Sequence, residues 1–306
     1  MLRLLPMALF AALVFNLVST RPNADAASLA PAPKASASFD SGMLHVDRYG
    51  SGSKTLIFIP GLASGTWTWY GQITKFSPAY TIYAITLPGF DGRSPSKESD
   101  LVAAFSRDFW SLLETQHRTK PVVIGHSLGG TLAIYLAETH PERLSGIVAV
   151  DGLPVFPTLV QSTPAQRTAF ADNAAAQYAS LSHDAALHYE QNYMAAAGTT
   201  DTSFAPVLAE LTTKSDRGAV GAWLKADVSR DLRPGLSKIT VPFMEVMPYA
   251  SPSPYSEADT LAFYKAIVAG DPSATVVAIA PSRHYAMLDQ PEIFNAALTR
   301  FLAAVP

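Results

Sequence analysis

The feature that most constrains this chain is Gly125-His126-Ser127-Leu128-Gly129-Gly130, placed directly after the apolar run Pro121-Val122-Val123-Ile124. That run reads as a buried strand, and the segment from Thr131 to Thr139 reads as a helix. A strand that passes into a helix through Gly-x-Ser-x-Gly makes a tight elbow. The turn forces the serine into a strained backbone conformation and lifts its hydroxyl above the sheet. Glycines flank it because side chains there would collide with the adjacent strand and helix. The five-residue pattern alone arises often by chance, so its meaning comes from its place between a strand and a helix.

The same rhythm runs through most of the chain. Candidate strands are Met43 to Tyr49, Thr55 to Ile59, Thr81 to Thr86, Pro121 to Ile124, Gly146 to Val150, Val241 to Met247 and Thr275 to Ala280. Most are β-branched and continuously apolar, as strands covered on both faces are. Candidate helices are Leu101 to Gln116, Leu128 to Thr139, Pro252 to Ala269 and Glu292 to Ala304. The alternation predicts an α/β fold with a mostly parallel central sheet flanked by helices. Residues 153–238 break the rhythm. They hold helical patterns over Ala165 to Ser180, His183 to Ala197, Phe204 to Lys214 and Arg217 to Ala226, with no convincing strand. This stretch reads as a helical cap inserted between a first core segment, 39–152, and a second, 239–306.

The N-terminus carries Arg3, an apolar run from Leu4 to Val18 and the small-x-small triplet Ala24-Asp25-Ala26. Residues 1–26 therefore read as a cleaved signal peptide, with an uncleaved N-terminal anchor as the alternative; cleavage implies a periplasmic or secreted protein with no stable membrane span. Residues 27–38, rich in Ala, Pro and Ser, read as a disordered linker. The chain of 306 residues is 48% hydrophobic, enough for a large core, and carries a net charge of −3. With no basic cluster, nucleic-acid binding is not expected. Without cysteine there is no disulfide, thiol nucleophile or cysteine-ligated metal. No histidine pair has metal-site spacing with a supporting carboxylate, so neither a metal nor another cofactor is expected.

Four segments, taken in order, carry a resemblance. They are Ile59-Pro60-Gly61-Leu62; Leu87-Pro88-Gly89-Phe90-Asp91-Gly92-Arg93-Ser94; the elbow from Gly125 to Gly130; and Arg283-His284-Tyr285 followed by Asp289-Gln290-Pro291. Together they resemble the α/β-hydrolase fold family, and in particular its capped esterase, lipase and peptidase-like branch. The resemblance covers nearly everything from Phe39 onward. It implies Ser127 as nucleophile and His284, after the last strand, as its base. A serine hydroxyl is too weakly acidic to attack a carbonyl unaided, so a base oriented by a third group is required. The residue before this histidine is often glycine in the family, and here it is Arg283.

The orienting acid is less direct. In most relatives it follows the strand here read as Val241 to Met247, but Pro248 to Pro254 contains no Asp or Glu. The alternative family position, after Val148-Ala149-Val150, holds Asp151, which is favoured. Glu257 is the second candidate, and a dyad without a carboxylate the third. The resemblance also implies an oxyanion hole from the backbone N–H groups of Leu62 and Leu128. His126, Trp67 and Trp69 are candidate pocket walls, with core packing the alternative reading for the tryptophans. The expected partner is a small-molecule ester or related acyl substrate. Amidase, aminopeptidase, lactonase or carbon-carbon bond hydrolysis would use the same constellation, and a non-catalytic ligand-binding protein of this fold is the alternative from another class.

Overall fold

The computed structural model describes residues 29–305. The expected signal peptide lies outside the described residues. Eight strands form one sheet: β1 (Ala37–Ser41), β2 (Leu44–Tyr49), β3 (Thr55–Ile59), β4 (Thr81–Thr86), β5 (Val122–His126), β6 (Gly146–Val150), β7 (Phe243–Pro248) and β8 (Ala274–Ile279). Their order is β1-β2-β4-β3-β5-β6-β7-β8. β1 and β2 pair antiparallel, as do β2 and β4, and every pair from β4 to β8 is parallel. The C-terminal ends of β3, β5, β6, β7 and β8 therefore emerge along one edge.

Ten α-helices complete the described residues: α1 (Tyr70–Phe76), α2 (Leu101–Thr115), α3 (Leu128–Thr139), α4 (Pro164–Ala179), α5 (His183–Tyr193), α6 (Phe204–Thr212), α7 (Arg217–Val228), α8 (Glu257–Val268), α9 (Ala286–Asp289) and α10 (Pro291–Ala304). Local chemistry sets several of their ends. Asp100 caps α2 by accepting from the Val102 and Ala103 N–H groups. Thr163 and Gln166 form a reciprocal capping box on α4, with a proline in its first turn.

Strand alternation divides the core in two. Ile57, Val123, Ile147 and Phe243 face α2, α3 and α8, packing with Phe105, Phe109 and Leu132. Phe58, Ile124, Val148 and Met244 face the opposite layer, with Trp69, Ile73, Phe294 and Leu298 from the α1 and α10 side. Because both faces are covered, β3, β5 and β6 are buried along their whole length.

The chain between β6 and β7 is helical. α4 packs on α7, and α5 packs on α6. Hydrogen bonds fasten this insertion to the sheet's loops, among them the following. The Trp223 indole N–H donates to the Pro88 carbonyl at 3.1 Å. The Asp216 N–H donates to the Gly89 carbonyl at 2.7 Å. The Ser215 hydroxyl donates to the Ala63 carbonyl at 3.0 Å.

Three expectations shift. The linker assignment extended to Ser38, but β1 already begins at Ala37, and the Ser36 N–H bonds the Arg48 carbonyl at 2.7 Å. Small residues hid an edge strand whose order comes from pairing with β2. α8 begins at Glu257 rather than Pro252, because Ser256 caps it by accepting from the Asp259 N–H. The helix expected through Ala197 is α5 as far as Tyr193 and then one π-helical turn, Met194–Gly198.

Phe294 packs fully buried against Trp69 between the sheet and α10. Phe294→Ala should lower unfolding free energy by about 3–5 kcal/mol. Urea denaturation followed by tryptophan fluorescence measures it, and a loss below about 1 kcal/mol would place the packing centre of this layer elsewhere.

Candidate active site

Ser127 stands between β5 and α3 with φ 52° and ψ −121°. A positive φ in a residue with a Cβ costs about 1–3 kcal/mol and persists only where surroundings hold it. Its N–H donates to the Val150 carbonyl at 2.9 Å, and its carbonyl accepts from Gly130 and Thr131. The flanking glycines are required by contact. A Cβ on Gly125 would lie 2.0 Å from the Gly129 carbonyl oxygen, and one on Gly129 would lie 2.4 Å from that of Ile59.

Asp151 follows β6 directly, with φ 51°, and its N–H donates to the Val246 carbonyl at 3.0 Å. His284 lies on the loop between β8 and α9. The fold brings the two together across 133 residues, with His284 Nδ1 2.5 Å from Asp151 Oδ2. An Nδ1–H donated to the carboxylate makes Nε2 the unprotonated, basic nitrogen, which is the tautomer the geometry selects. Glu257 does not compete: it sits exposed in the first turn of α8.

Two residues that no motif announced complete the surroundings of the carboxylate. The Tyr264 hydroxyl, from α8, donates to Asp151 Oδ1. Glu245, from the interior of β7, is fully buried beside it. Burial first, and the Asp151 charge second, push the Glu245 carboxyl well above the usual carboxylate range, with the Gly152 N–H opposing. The neutral acid is the form favoured there.

The loop after β3 closes on the elbow. A Cβ on Gly61 would lie 3.2 Å from Ser127 Cβ. Leu62 is the next residue, and Leu128 opens α3, where first-turn N–H groups have no partner inside the helix. The Ser64 hydroxyl and the Tyr285 hydroxyl lie 3.1 Å apart, joining this loop to the His284 loop.

The expected pocket walls are corrected. His126 is fully buried, and its Nε2 lies 3.0 Å from the His284 carbonyl, to which it donates. Burial and then the nearby His284 hold its imidazole pKa well below the usual value. Its ring centroid is 4.5 Å from that of His284 and 4.5 Å from that of Tyr285. It therefore packs in the interior beneath the His284 loop and props that loop through its carbonyl. Trp69 is buried between Phe58 and Phe294. Trp67 is 3% exposed and stacks on Tyr285. Both tryptophans pack the core.

A second Ser-His-Asp chain exists on the β1–β2 hairpin. Ser38 Oγ lies 3.0 Å from His45 Nε2, and His45 Nδ1 lies 2.7 Å from Asp40 Oδ1. Asp40 and His45 are cross-strand partners, which accounts for the contact. Neither an elbow nor a helix N-terminus adjoins it.

The Glu245 assignment has a pH consequence. A native pKa above the usual 4.5 means that the folded state holds the extra proton. Stability at this site is then full below 4.5 and falls as pH rises toward the native pKa. Glu245→Gln removes that dependence, so the variant's melting temperature should decline less with pH above 4.5. Calorimetric scans across that range check it, and an unchanged slope would show that the carboxyl is not held neutral.

Comparisons with known proteins agree with this architecture. The family model for the alpha/beta hydrolase fold matches residues 54–233. Over 112 residues the chain is 33% identical to a pimeloyl-[acyl-carrier protein] methyl ester esterase of Aeromonas salmonicida, covering 36% of this chain and 42% of that protein. Over 109 residues it is 34% identical to lipase LipV of Mycobacterium tuberculosis, covering 35% and 41%. The matches thus span less than half the length of these relatives. An esterase from Thermogutta terrifontis superposes with a TM-score of 0.70 at 17% identity, covering 85% of this chain and 93% of that one. The enol-lactonase of Burkholderia xenovorans superposes at 0.67 with 16% identity, covering 85% and 96%. With a family match over more than half its length and this sheet order, the chain belongs to the alpha/beta hydrolase fold family.

Proposed function

We propose that this protein is a serine hydrolase that cleaves carboxylic esters through an acyl-enzyme on Ser127. The observation that carries the reading is the 2.5 Å bond between His284 Nδ1 and Asp151, formed at the sheet edge where the strained Ser127 elbow stands. The esterase and lipase relatives support an ester as the substrate class. The Leu62 and Leu128 N–H groups are assigned as oxyanion donors by their position beside the elbow.

In this mechanism His284 Nε2 takes the Ser127 proton as Oγ attacks the ester carbonyl carbon. The carbonyl π electrons move to oxygen, and the Leu62 and Leu128 N–H groups bind the resulting oxyanion. Asp151 keeps the imidazole in the productive tautomer and stabilises the imidazolium. When the tetrahedral species collapses, the C–O bond to the alcohol breaks and His284 gives its proton to the leaving oxygen. Water then repeats the sequence on the acyl-enzyme, releasing the acid and restoring Ser127. Tyr264 anchors the second oxygen of Asp151, so the carboxylate cannot rotate away from the histidine.

Hydrolysis of p-nitrophenyl esters of graded chain length tests the proposal, with Ser127→Ala as control. Turnover that vanishes in the control is expected. Turnover that survives it would move the activity elsewhere, and Ser38→Ala would show whether the hairpin contributes. Asp151→Asn should lower kcat by about 10⁴-fold, while Glu257→Gln should leave it unchanged. The reverse pattern would overturn the choice of acid. Tyr264→Phe removes one hydrogen bond to a charged group, worth about 1.5 kcal/mol, so kcat should fall about 10-fold with KM held. An unaltered kcat would remove Tyr264 from the mechanism.

A further inference from the structure

Arg283 stands immediately before His284, where the family often has glycine. Its side chain makes specific bonds. Nη1 donates to the Ala195 carbonyl at 2.7 Å and to the Thr199 carbonyl at 3.0 Å. The first carbonyl lies within the π-helical turn Met194–Gly198 at the end of α5, and the second follows it directly. The backbone joins in the same contact. The His284 N–H donates to the Ala197 carbonyl at 3.1 Å, and the Tyr285 N–H donates to the Gly198 carbonyl at 2.9 Å. Asp289 ties the two segments from below, accepting from the Arg283 N–H at 2.8 Å and from the Thr200 N–H at 2.9 Å.

Successive donors of the base loop thus meet successive carbonyls of the insertion. Helix ends supply such carbonyls, because the last four have no partner within the helix. Ending α5 in a π turn changes where they point, and turns of this kind occur often at functional sites. Arginine suits the position because one planar guanidinium nitrogen presents two N–H groups in a fixed fork, which lysine does not.

On the opposite side of the elbow the insertion also holds the loop that carries Leu62. Buried Ser215 donates to the Ala63 carbonyl at 3.0 Å and accepts from the Asp91 N–H at 3.1 Å. Both loops that would flank a bound carbonyl are therefore fastened to the helical insertion.

We propose that Arg283 is a positioning residue for His284, fastening the base loop to the 194–199 turn. The insertion is then part of the frame that aims the base, not a lid that swings clear of it. The proposal rests on the hydrolase reading above for its catalytic consequence, though the fastening itself does not.

The test uses the full chain, with Arg283→Ala and Arg283→Lys compared with wild type and Ser127→Ala. Misplacing a reacting group by an ångström costs about 100-fold in rate. Arg283→Ala should therefore lose kcat by about that factor while KM stays nearly constant. Arg283→Lys, which can satisfy one carbonyl well, should lose about 10-fold. Added guanidinium ion should restore part of the activity of Arg283→Ala and none to Ser127→Ala. Wild-type kcat in both variants would overturn the proposal, as would a loss that tracks the melting temperature with no guanidinium rescue. Should Arg283→Ala fail to fold, the lysine variant decides: its kcat must fall while its melting temperature holds. Hydrogen exchange at the His284 and Tyr285 amides is read in parallel and needs no turnover. Faster exchange in the variants is expected, and unchanged exchange overturns the fastening. If wild-type turnover proves independent of Ser127, the hydrolase reading fails, and exchange alone still judges the role of Arg283.

Discussion

The hydrogen bond from the Ser127 N–H to the Val150 carbonyl holds the elbow in place. A serine at φ 52° stays there only if its backbone is held on both sides. The strand below supplies one anchor, and the Gly130 and Thr131 amides, folded back on the Ser127 carbonyl, supply the other. The same device recurs one strand over, where Asp151 bonds the Val246 carbonyl and also adopts a positive φ. Each strand end is thus pinned by its parallel neighbour. The serine and the carboxylate inherit their separation from the spacing of the sheet, which is far stiffer than any loop.

The histidine lies farther from the sheet: the last bond from its loop to the end of β7 is from the Ser282 N–H to the Tyr249 carbonyl, two residues earlier. Its loop is held from three other directions. His126 donates to its carbonyl from beneath, the 194–199 turn accepts its N–H from the insertion side, and Asp151 takes its Nδ1. The neutral state of His126 matters here. Burial disfavours the imidazolium, so the ring remains a single-proton donor aimed at the His284 carbonyl. The catalytic geometry proposed above is therefore distributed, with β5, β6 and the helical insertion each fixing a different coordinate of it.

Much of the fold was legible in the sequence because its signals are local. Three strands, Thr55–Ile59, Thr81–Thr86 and Gly146–Val150, are found at the residues expected, each a continuous apolar run bounded by turn residues. α3 likewise begins and ends as read. β1 escaped because Ala37 and Ser38 carry no strand signal of their own, and order reaches them through β2. The misjudged pocket residues share another cause. A periodic or motif-adjacent aromatic shows that it will be covered, but not by what. Trp69 is covered by Phe58 and Phe294, and the second of these is 225 residues distant. Tyr264 and Glu245 were illegible for the same reason, since their meaning exists only relative to Asp151. The Asp151 carboxylate could be favoured because the family resemblance implies two places for the acid and one of them, Pro248 to Pro254, holds no Asp or Glu.

The displaced acid and the buried Glu245 are two sides of one constraint. β6 and β7 are parallel neighbours, with Val150 paired to Val246, so their ends lie side by side at the same height. A carboxylate at either end can reach a histidine arriving from β8. It cannot be accompanied by a second charge, because two carboxylates within a buried space cannot both ionise cheaply. Asp151, receiving the Tyr264 hydroxyl and the His284 N–H, has the partners that stabilise a charge. Glu245, two residues before Met247 and fully buried, faces Asp151 as its strongest charged neighbour. Donors thus surround Asp151, while burial favours the neutral form of Glu245. Tyr264 belongs to that division: its hydroxyl donates to Asp151 Oδ1, so both oxygens of that carboxylate have a donor.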